Sequence, residues 1–206
     1  MALIVMMATG CNQKKDTAVM AGQKESSIEI TQPAGNDAPW IIRTKSAEFH
    51  ILGNGSVNAF LLRDGTRLTI DQHLGNGASA DSVFVNAKEV SDLLFQPSPK
   101  SSDAKGKLGI GKRIEFVSKS ASTGLEKTTA IEVYDDFPNM AIVTTAYKNT
   151  GSSDVKLEKV ITQRHQFDAA LTDKNAKPYQ MWSFQGSSLD WGKDEILPIP
   201  AKFSQQ

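Results

Sequence analysis

From Ser26 onward, apolar residues alternate with polar ones far more often than they recur at the 3.6-residue spacing of a helix. Ile28 and Ile30, for example, are separated by Glu29. Glycine, asparagine, aspartate or proline interrupts this pattern at intervals of about ten residues, which is the spacing of turns between short strands. The pattern therefore predicts an all-β fold, a large antiparallel β-sandwich, over residues 26–206.

The dipeptide Asp64-Gly65 lies between two strand-like runs, 59–63 and 66–70. A type I′ turn needs positive φ at both of its central residues, and Asp-Gly meets that requirement better than most pairs. The sequence therefore predicts a two-residue β-hairpin at this point.

The first strand of this hairpin has apolar residues on both faces. Val57, Ala59 and Leu61 fall on one face of the strand, and Phe60 and Leu62 make the opposite face apolar too. This pattern is typical of a strand that is covered on both sides.

Three further strands are predicted in succession at 129–134, 140–147 and 155–161. Turn residues separate them, which favours a meander of consecutive antiparallel strands. In the third strand the apolar phase slips between Leu157 and Val160, which indicates a bulge.

Two polar, proline-bearing segments, 96–107 and 168–178, predict loops. Helix-like spacing occurs in one run that is too short to change the fold class. The residues of that run are Ala87, Val90, Leu93 and Leu94. No boundary between domains and no internal repeat is evident within 26–206.

Residues 1–10 form an uncharged, mostly apolar run that ends at Cys11, where the chain turns abruptly polar. The small residues before Cys11 are similar to a bacterial lipoprotein box, which predicts a signal peptide over 1–11 and lipidation of Cys11. Residues 12–25 are then a flexible tether. The predicted location is the bacterial cell envelope, with the protein exported and held in the periplasm or at the outer membrane by its lipid. The alternative is a buried strand with a chance cysteine.

Composition excludes several classes of protein. The 206 residues carry 23 basic and 23 acidic side chains, so a net charge of zero provides no general attraction to nucleic acid. A single cysteine excludes a disulfide scaffold. A complete (β/α)8 barrel usually needs about 250 residues, more than this chain has.

Candidate catalytic groups are sparse. His50, His73 and His165 are far apart in sequence, and none has a second ligand at metal-binding spacing, so satisfied or surface histidines are favoured. Asp135 and Asp136 are adjacent, and neighbours in an extended chain point to opposite faces. They are therefore expected to begin a turn rather than to form an acid/base pair.

The glycines Gly106, Gly109 and Gly111 have neither dinucleotide-binding nor Walker spacing, and the pattern around them predicts a turn. No Gly-x-Ser-x-Gly elbow for a serine nucleophile is present. No cofactor and no metal ion are expected.

Residues 179–192 concentrate two of the three tryptophans with amides, hydroxyls and a carboxylate. Aromatic faces suit the C–H patches of a sugar, and planar hydrogen-bonding groups suit its hydroxyls. The candidate substrate-binding residues are Trp182, Gln185, Asp190 and Trp191. The alternative is that Trp182 and Phe184, on one face of a strand, fill the core.

Three motifs carry a resemblance to a known family. They are EVYDDFP at 132–138, YKNTG at 147–151 and MWSFQG at 181–186. Their order and spacing are similar to the N-terminal β-sandwich of α-galactosidases and related enzymes in glycoside hydrolase family 36, over about residues 110–206. The resemblance implies a supersandwich of the galactose-mutarotase-like type, followed in the family by a (β/α)8 barrel that carries an aspartate nucleophile and an aspartate acid/base.

The barrel motifs of that family are absent from this sequence. The resemblance therefore implies the N-terminal, non-catalytic portion of an exported, retaining glycosidase, with an α-galactoside as the partner of the whole enzyme and no activity in this chain alone. In the whole enzyme, the segment 182–191 would help to form the active-site entrance. Two other functions remain open: a stand-alone carbohydrate-binding lipoprotein, and a structural or interaction sandwich without a ligand.

Overall fold

The computed structural model describes residues 25–35, 38–72, 80–90, 92–93, 95–96, 98–186 and 194–201. These residues form β-strands and a single short 3-10 turn, Ala169–Leu171. The first eight strands are β1 (Glu29–Thr31), β2 (Trp40–Arg43), β3 (Ala47–Ile51), β4 (Val57–Arg63), β5 (Thr66–Leu68), β6 (Asp71–Gln72), β7 (Ser82–Val85) and β8 (Lys88–Val90). The others are β9 (Lys100–Gly106), β10 (Gly109–Lys119), β11 (Leu125–Tyr134), β12 (Phe137–Asn149), β13 (Leu157–Ile161), β14 (Gln166–Phe167), β15 (Trp182–Gly186) and β16 (Asp194–Pro198).

Two antiparallel sheets form the body of the molecule. The first has five strands in the order β1-β2-β3-β4-β5, and the second has four strands in the order β12-β11-β10-β9. Smaller sheets pair β13 and β8 with β7, β14 with β6, and β15 with β16. All of these pairings are antiparallel, so the predicted fold class is confirmed.

The core lies between the two large sheets. Ile42 and Phe49 of the first sheet pack against Ile114 and Ile131 of the second, and all four side chains are buried. Phe116 is also buried there and stacks on Phe95, with a distance of 4.5 Å between the ring centroids. This arrangement is a β-sandwich, because each sheet buries one face against the other.

The hairpin predicted at Asp64-Gly65 is confirmed. The two residues have φ values of 51° and 75° and connect β4 to β5, with Arg63 opposite Thr66. The left-handed backbone that the turn requires is therefore present at both central positions.

The predicted meander is wrong at its third strand. β11 and β12 pair as expected, but β13 pairs with β7 rather than with β12. Hydrophobic burial explains the difference, since β7 and Leu125 belong to a second core cluster to which the chain returns after β12. The bulge in β13 is confirmed by a shift of register between Leu157 and Lys159.

Two local predictions are also wrong. Part of the predicted loop 96–107 is strand β9, whose backbone pairs with β10 although only Ala104 of its side chains is buried. An exposed edge strand of this kind has no apolar alternation by which to recognise it. The helix-like run around Val90 is instead strand β8, which a turn with positive φ at Asn86 and Ala87 connects to β7.

Other turn predictions are confirmed. Lys107 and Leu108 form the turn between β9 and β10, and Asp135 and Asp136 form the turn between β11 and β12. Residues 168–178 form a loop that contains the 3-10 turn.

Strand β4 is not covered on both sides along its whole length. Val57 and Asn58 at its start are buried, but the side chain of Leu61 is 52% exposed. Leu61 lies on the same face as Val57, so the inner face of the first sheet is covered at one end of β4 and open at the other.

The predicted signal peptide, Cys11 and all of the tether except Glu25 lie outside the described residues. Among the described residues, no helix has the length and apolar character needed to cross a membrane.

Candidate functional site

Strands β15 and β16 form a hairpin that presents aromatic and aliphatic groups to solvent. Trp182 lies opposite Pro198 in the ladder and is 68% exposed, and Ile196 is 64% exposed. Large apolar side chains are rarely left in water without a function in binding when they lie close together. Trp182 therefore does not fill the core in the described chain, whereas the side chain of Phe184 lies outside the description. A role for Trp182 in binding a ligand stays a prediction.

The base of this hairpin is held by backbone hydrogen bonds. The amide of Ile199 donates to the carbonyl oxygen of Met181 at 2.9 Å, and the amide of Met181 donates to Tyr179 at 2.8 Å. Lys177 lies over the Tyr179 ring, 5.9 Å from its centroid. Strand β15 is therefore preceded by a hydrogen-bonded turn at Tyr179 and Met181.

The loop before the hairpin is joined to strand β6. The Asp168 carboxylate accepts hydrogen bonds from the amide of Ala170 at 2.9 Å and from Nε2 of Gln72 at 3.1 Å. Asp168 is therefore the N-cap of the 3-10 turn, and this loop is connected to the body of the molecule.

The other predicted site residues are only partly described. Gln185 is in β15 opposite Glu195, and its side chain lies outside the description. Asp190, Trp191 and the predicted lipidation site Cys11 lie outside the described residues. The grouping of Trp182 with these residues therefore stays a prediction.

A histidine and an aspartate that are distant in sequence meet beside the pairing of β14 with β6. Nδ1 of His165 is 2.8 Å from Oδ2 of Asp71, and the His165 ring stacks on Phe167 at 5.6 Å. The Asp71 side chain is buried. Because 94 residues separate the two partners, no local pattern in the sequence indicates their contact.

A second histidine belongs to a cluster of charges around Glu48, whose side chain is 1% exposed. The Glu48 carboxylate is 3.0 Å from Nε2 of His50, 2.8 Å from Nε of Arg67 and 3.2 Å from Nη1 of Arg43. Burial by itself would raise the Glu48 pKa, but hydrogen bonds from His50 and Arg67 outweigh it and hold the pKa below its ordinary value. Both described histidines therefore have carboxylate partners, as expected for satisfied histidines.

This depressed pKa predicts an acid-sensitive fold. Ionised Glu48 stabilises the folded chain above the ordinary pKa of 4.5, and the contribution is lost as the pH falls through the lower folded-state value. We expect Glu48→Gln to lower stability at pH 7 and to flatten the dependence of stability on pH below 4.5. Urea unfolding monitored across this pH range measures both effects.

The matched control is Asp64→Asn, which removes an exposed carboxylate. The resulting Asn-Gly pair still forms the hairpin turn. This variant should leave the pH dependence close to that of the parent chain. A Glu48→Gln variant with the same acid profile as the parent would show that the cluster does not contribute.

A buried ion pair lies between the second sheet and the segment before β7. Nζ of Lys127 is 2.5 Å from Oδ2 of Asp81, and both side chains are 2% exposed. Lys127 also lies over the Phe95 ring at 5.4 Å. Burial and the charge of Asp81 raise the pKa of the neighbouring Tyr147 to about 12, so Tyr147 is neutral at physiological pH. The Lys127–Asp81 pair is closed to solvent and is a structural element of the core.

The adjacent aspartates at the β11–β12 turn do not form an acid/base pair. Oδ1 of Asp135 accepts hydrogen bonds from the backbone amide of Ser27 at 3.1 Å and from its hydroxyl at 2.8 Å. The hydroxyl of Ser26 donates to the same oxygen at 3.3 Å. Asp135 therefore attaches the start of the described chain to the second sheet.

The part of the chain that the structure describes contains no group of three or more histidine, cysteine, aspartate or glutamate side chains able to hold a metal ion. Two features of the described residues that a ligand could contact are the exposed Trp182 in its hairpin and the histidine–aspartate contact.

Comparison with known proteins identifies one informative similarity. No protein-family model matches the chain. A protein from Flavonifractor plautii named A type blood alpha-D-galactosamine galactosaminidase is 25% identical to it over 146 residues. The matched region covers 68% of this chain and 13% of the relative, so the chain spans a small part of that protein's length.

Proposed function

We propose that this chain is the N-terminal, non-catalytic portion of an exported, α-galactosidase-like retaining glycoside hydrolase that acts on α-linked galactosides. The observation that carries the proposal is the similarity to a protein named as a galactosaminidase over 68% of the chain. The β-sandwich and the motif at 181–186, which contains the exposed Trp182, support it.

The chemistry of the whole enzyme belongs to a part that this chain does not contain. A retaining glycosidase needs two carboxyl groups about 5–5.5 Å apart, one as nucleophile and one as acid/base. In the family that this chain resembles, both are in a barrel. The sandwich would supply a surface on which the barrel packs, and the residues Trp182, Gln185, Asp190 and Trp191 would contribute to the substrate entrance.

The proposal predicts that the purified 206-residue chain does not hydrolyse an aryl α-galactoside. Release of the aryl group, followed by absorbance, should equal that of a buffer blank. The positive control is the longer polypeptide that the proposal implies, which should hydrolyse the same substrate. Turnover by the short chain at about 1 per second, within the range of ordinary enzymes, would contradict the proposal.

Attachment to the cell envelope through Cys11 is part of the same proposal. Two acyl chains hold a protein on a bilayer firmly, whereas one chain binds only marginally. Incorporation of labelled palmitate in bacteria, lost on Cys11→Ser, is the measurement that tests it.

A second candidate function is a stand-alone carbohydrate-binding protein, which the exposure of Trp182 favours. Under this candidate, methyl α-galactoside should shift tryptophan emission, and Trp182→Ala should remove most of the shift because stacking on a sugar changes the environment of the indole. Trp40→Phe is the control, since Trp40 packs on Phe116 in the core at 6.3 Å. No shift at millimolar sugar would exclude this candidate.

A further inference from the structure

The two large sheets of the sandwich are offset from each other. Strand β12 lies over β3, because the hydroxyl of Thr44 donates to the carbonyl oxygen of Pro138 at 2.9 Å and that of Ser46 donates to Asn139 at 2.6 Å. In the described chain the second sheet ends at β12, whereas the first sheet continues through β4 and β5. Strands β4 and β5 therefore project beyond the second sheet.

The inner face of this projection is apolar and uncovered. Ala59 and Leu61 follow Val57 on the core-facing side of β4, and Leu68 of β5 lies opposite Leu61. Val57 is buried, but Leu61 is half exposed. These residues form the floor of a groove of about 520 Å³, whose lining also includes Asn139, Phe167 and the His165–Asp71 pair.

The edge of β12 beside this groove is long and uncharged. The strand has 13 residues, and within the described part of the chain it pairs with β11 alone. Residues 140–147 contain no charged side chain. Natural edge strands are usually short, charged or interrupted by proline, and β9 at the opposite edge has two lysines and an aspartate. Between Pro138 and Lys148, β12 lacks this protection.

The free edge of β12 and the groove could both be filled by one added β-strand. Neighbouring strands lie about 4.8 Å apart and packed sheets about 10 Å apart, so a strand that pairs with β12 lies over β4 and β5. The backbone of this added strand would form hydrogen bonds with the amide and carbonyl groups of β12 that point away from β11. Every second side chain would cover Ala59, Leu61 and Leu68, and would have to be apolar.

We infer that β12 and the groove bind a β-strand supplied by the longer polypeptide of which this chain is the N-terminal portion. The inference rests on the proposed function for the existence of that polypeptide. The matched relative supports the existence of a longer polypeptide, because only 13% of the relative's length is similar to this chain and the rest lies outside the matched region.

A second copy of the chain does not fit the same place. Edge-to-edge pairing of two β12 strands would set β12 of the second copy over β4 of the first. β3 of the second copy lies beneath its own β12, as the contacts of Thr44 and Ser46 show, and would then overlap β4 of the first copy. The space over the projecting strands β4 and β5 therefore fits a single added strand rather than a second copy of the sandwich.

Thiol labelling tests the inference. Cys11 is the single cysteine of the chain, so Cys11→Ser gives a thiol-free background for Leu61→Cys in the groove and Thr144→Cys on the exposed outer face of β12. Leu61→Cys should react with a maleimide about tenfold or more slowly in the longer polypeptide than in the 206-residue chain, because covering by a strand limits labelling to local opening. Thr144→Cys should react equally in both. Equal slowing at both positions, or at neither, would overturn the inference.

Hydrogen exchange provides a measurement without substitution. The β12 amides that point away from β11 should exchange quickly in the 206-residue chain and become protected in the longer polypeptide. Hydrolysis of an α-galactoside without this protection would overturn the strand inference alone. Protection without hydrolysis would overturn the proposed function alone.

Discussion

Lys127→Ala is expected to lower the free energy of unfolding by about 3–5 kcal/mol, because the variant leaves Asp81 charged and buried without a cation. Oδ2 of Asp81 is 2.5 Å from Nζ of Lys127, and neither side chain is open to solvent. Oδ1 of the same carboxylate already lacks a hydrogen-bond partner. Urea unfolding at neutral pH measures the loss.

Two comparisons separate the burial of this pair from its charge. Lys112→Ala breaks an ion pair with Asp103 that is similarly short, 2.8 Å, but lies at the surface. It should lower the free energy of unfolding by no more than about 1 kcal/mol. Replacing both members, as Lys127→Met with Asp81→Leu, should recover much of the loss, since no charge is then left buried. Equal losses for Lys127→Ala and Lys112→Ala would contradict the interpretation.

Gly111→Ala is expected to lower the free energy of unfolding by about 3 kcal/mol, the upper part of the range for overpacking. A Cβ atom at this position would meet the carbonyl oxygen of Val133 and come within 2.9 Å of the Tyr134 Cα atom. Both are backbone atoms of the neighbouring strand β11 and have no rotamer with which to move aside. The β10–β11 ladder would have to open at this end.

The matched control is Gly106→Ala in β9, where an added Cβ meets nothing within 4 Å. It should change stability by no more than about 0.5 kcal/mol. Thermal unfolding of both variants compares them, and hydrogen exchange should show the loss of protection near Gly111 and Val133. A Gly111→Ala variant as stable as Gly106→Ala would show that the two strands separate without cost.

Local sequence patterns were sufficient for the fold class and for several turns. The strand predicted at 129–134 is part of β11 and places Ile131 in the core, and Asp64-Gly65 forms its hairpin. Both signals depend on residues close together in the chain. Strand β9 was missed since its pairing with β10 is a backbone interaction that leaves no apolar pattern.

The candidate site was predicted only in part. The concentration of tryptophans and amides pointed to the segment around Trp182, and the structure shows that this side chain is exposed. The contact between His165 and Asp71 could not be predicted, because their residues approach only when β14 pairs with β6.

The sequence by itself determined that the chain forms antiparallel strands joined by short turns, because alternation and turn residues act over a few neighbouring positions. The tertiary structure decided which strands became neighbours, and so placed β13 beside β7 and left Leu61 uncovered beyond the edge of β12. These outcomes depend on how the two sheets share one core. Contacts between distant segments set that arrangement, and no short window of residues contains them.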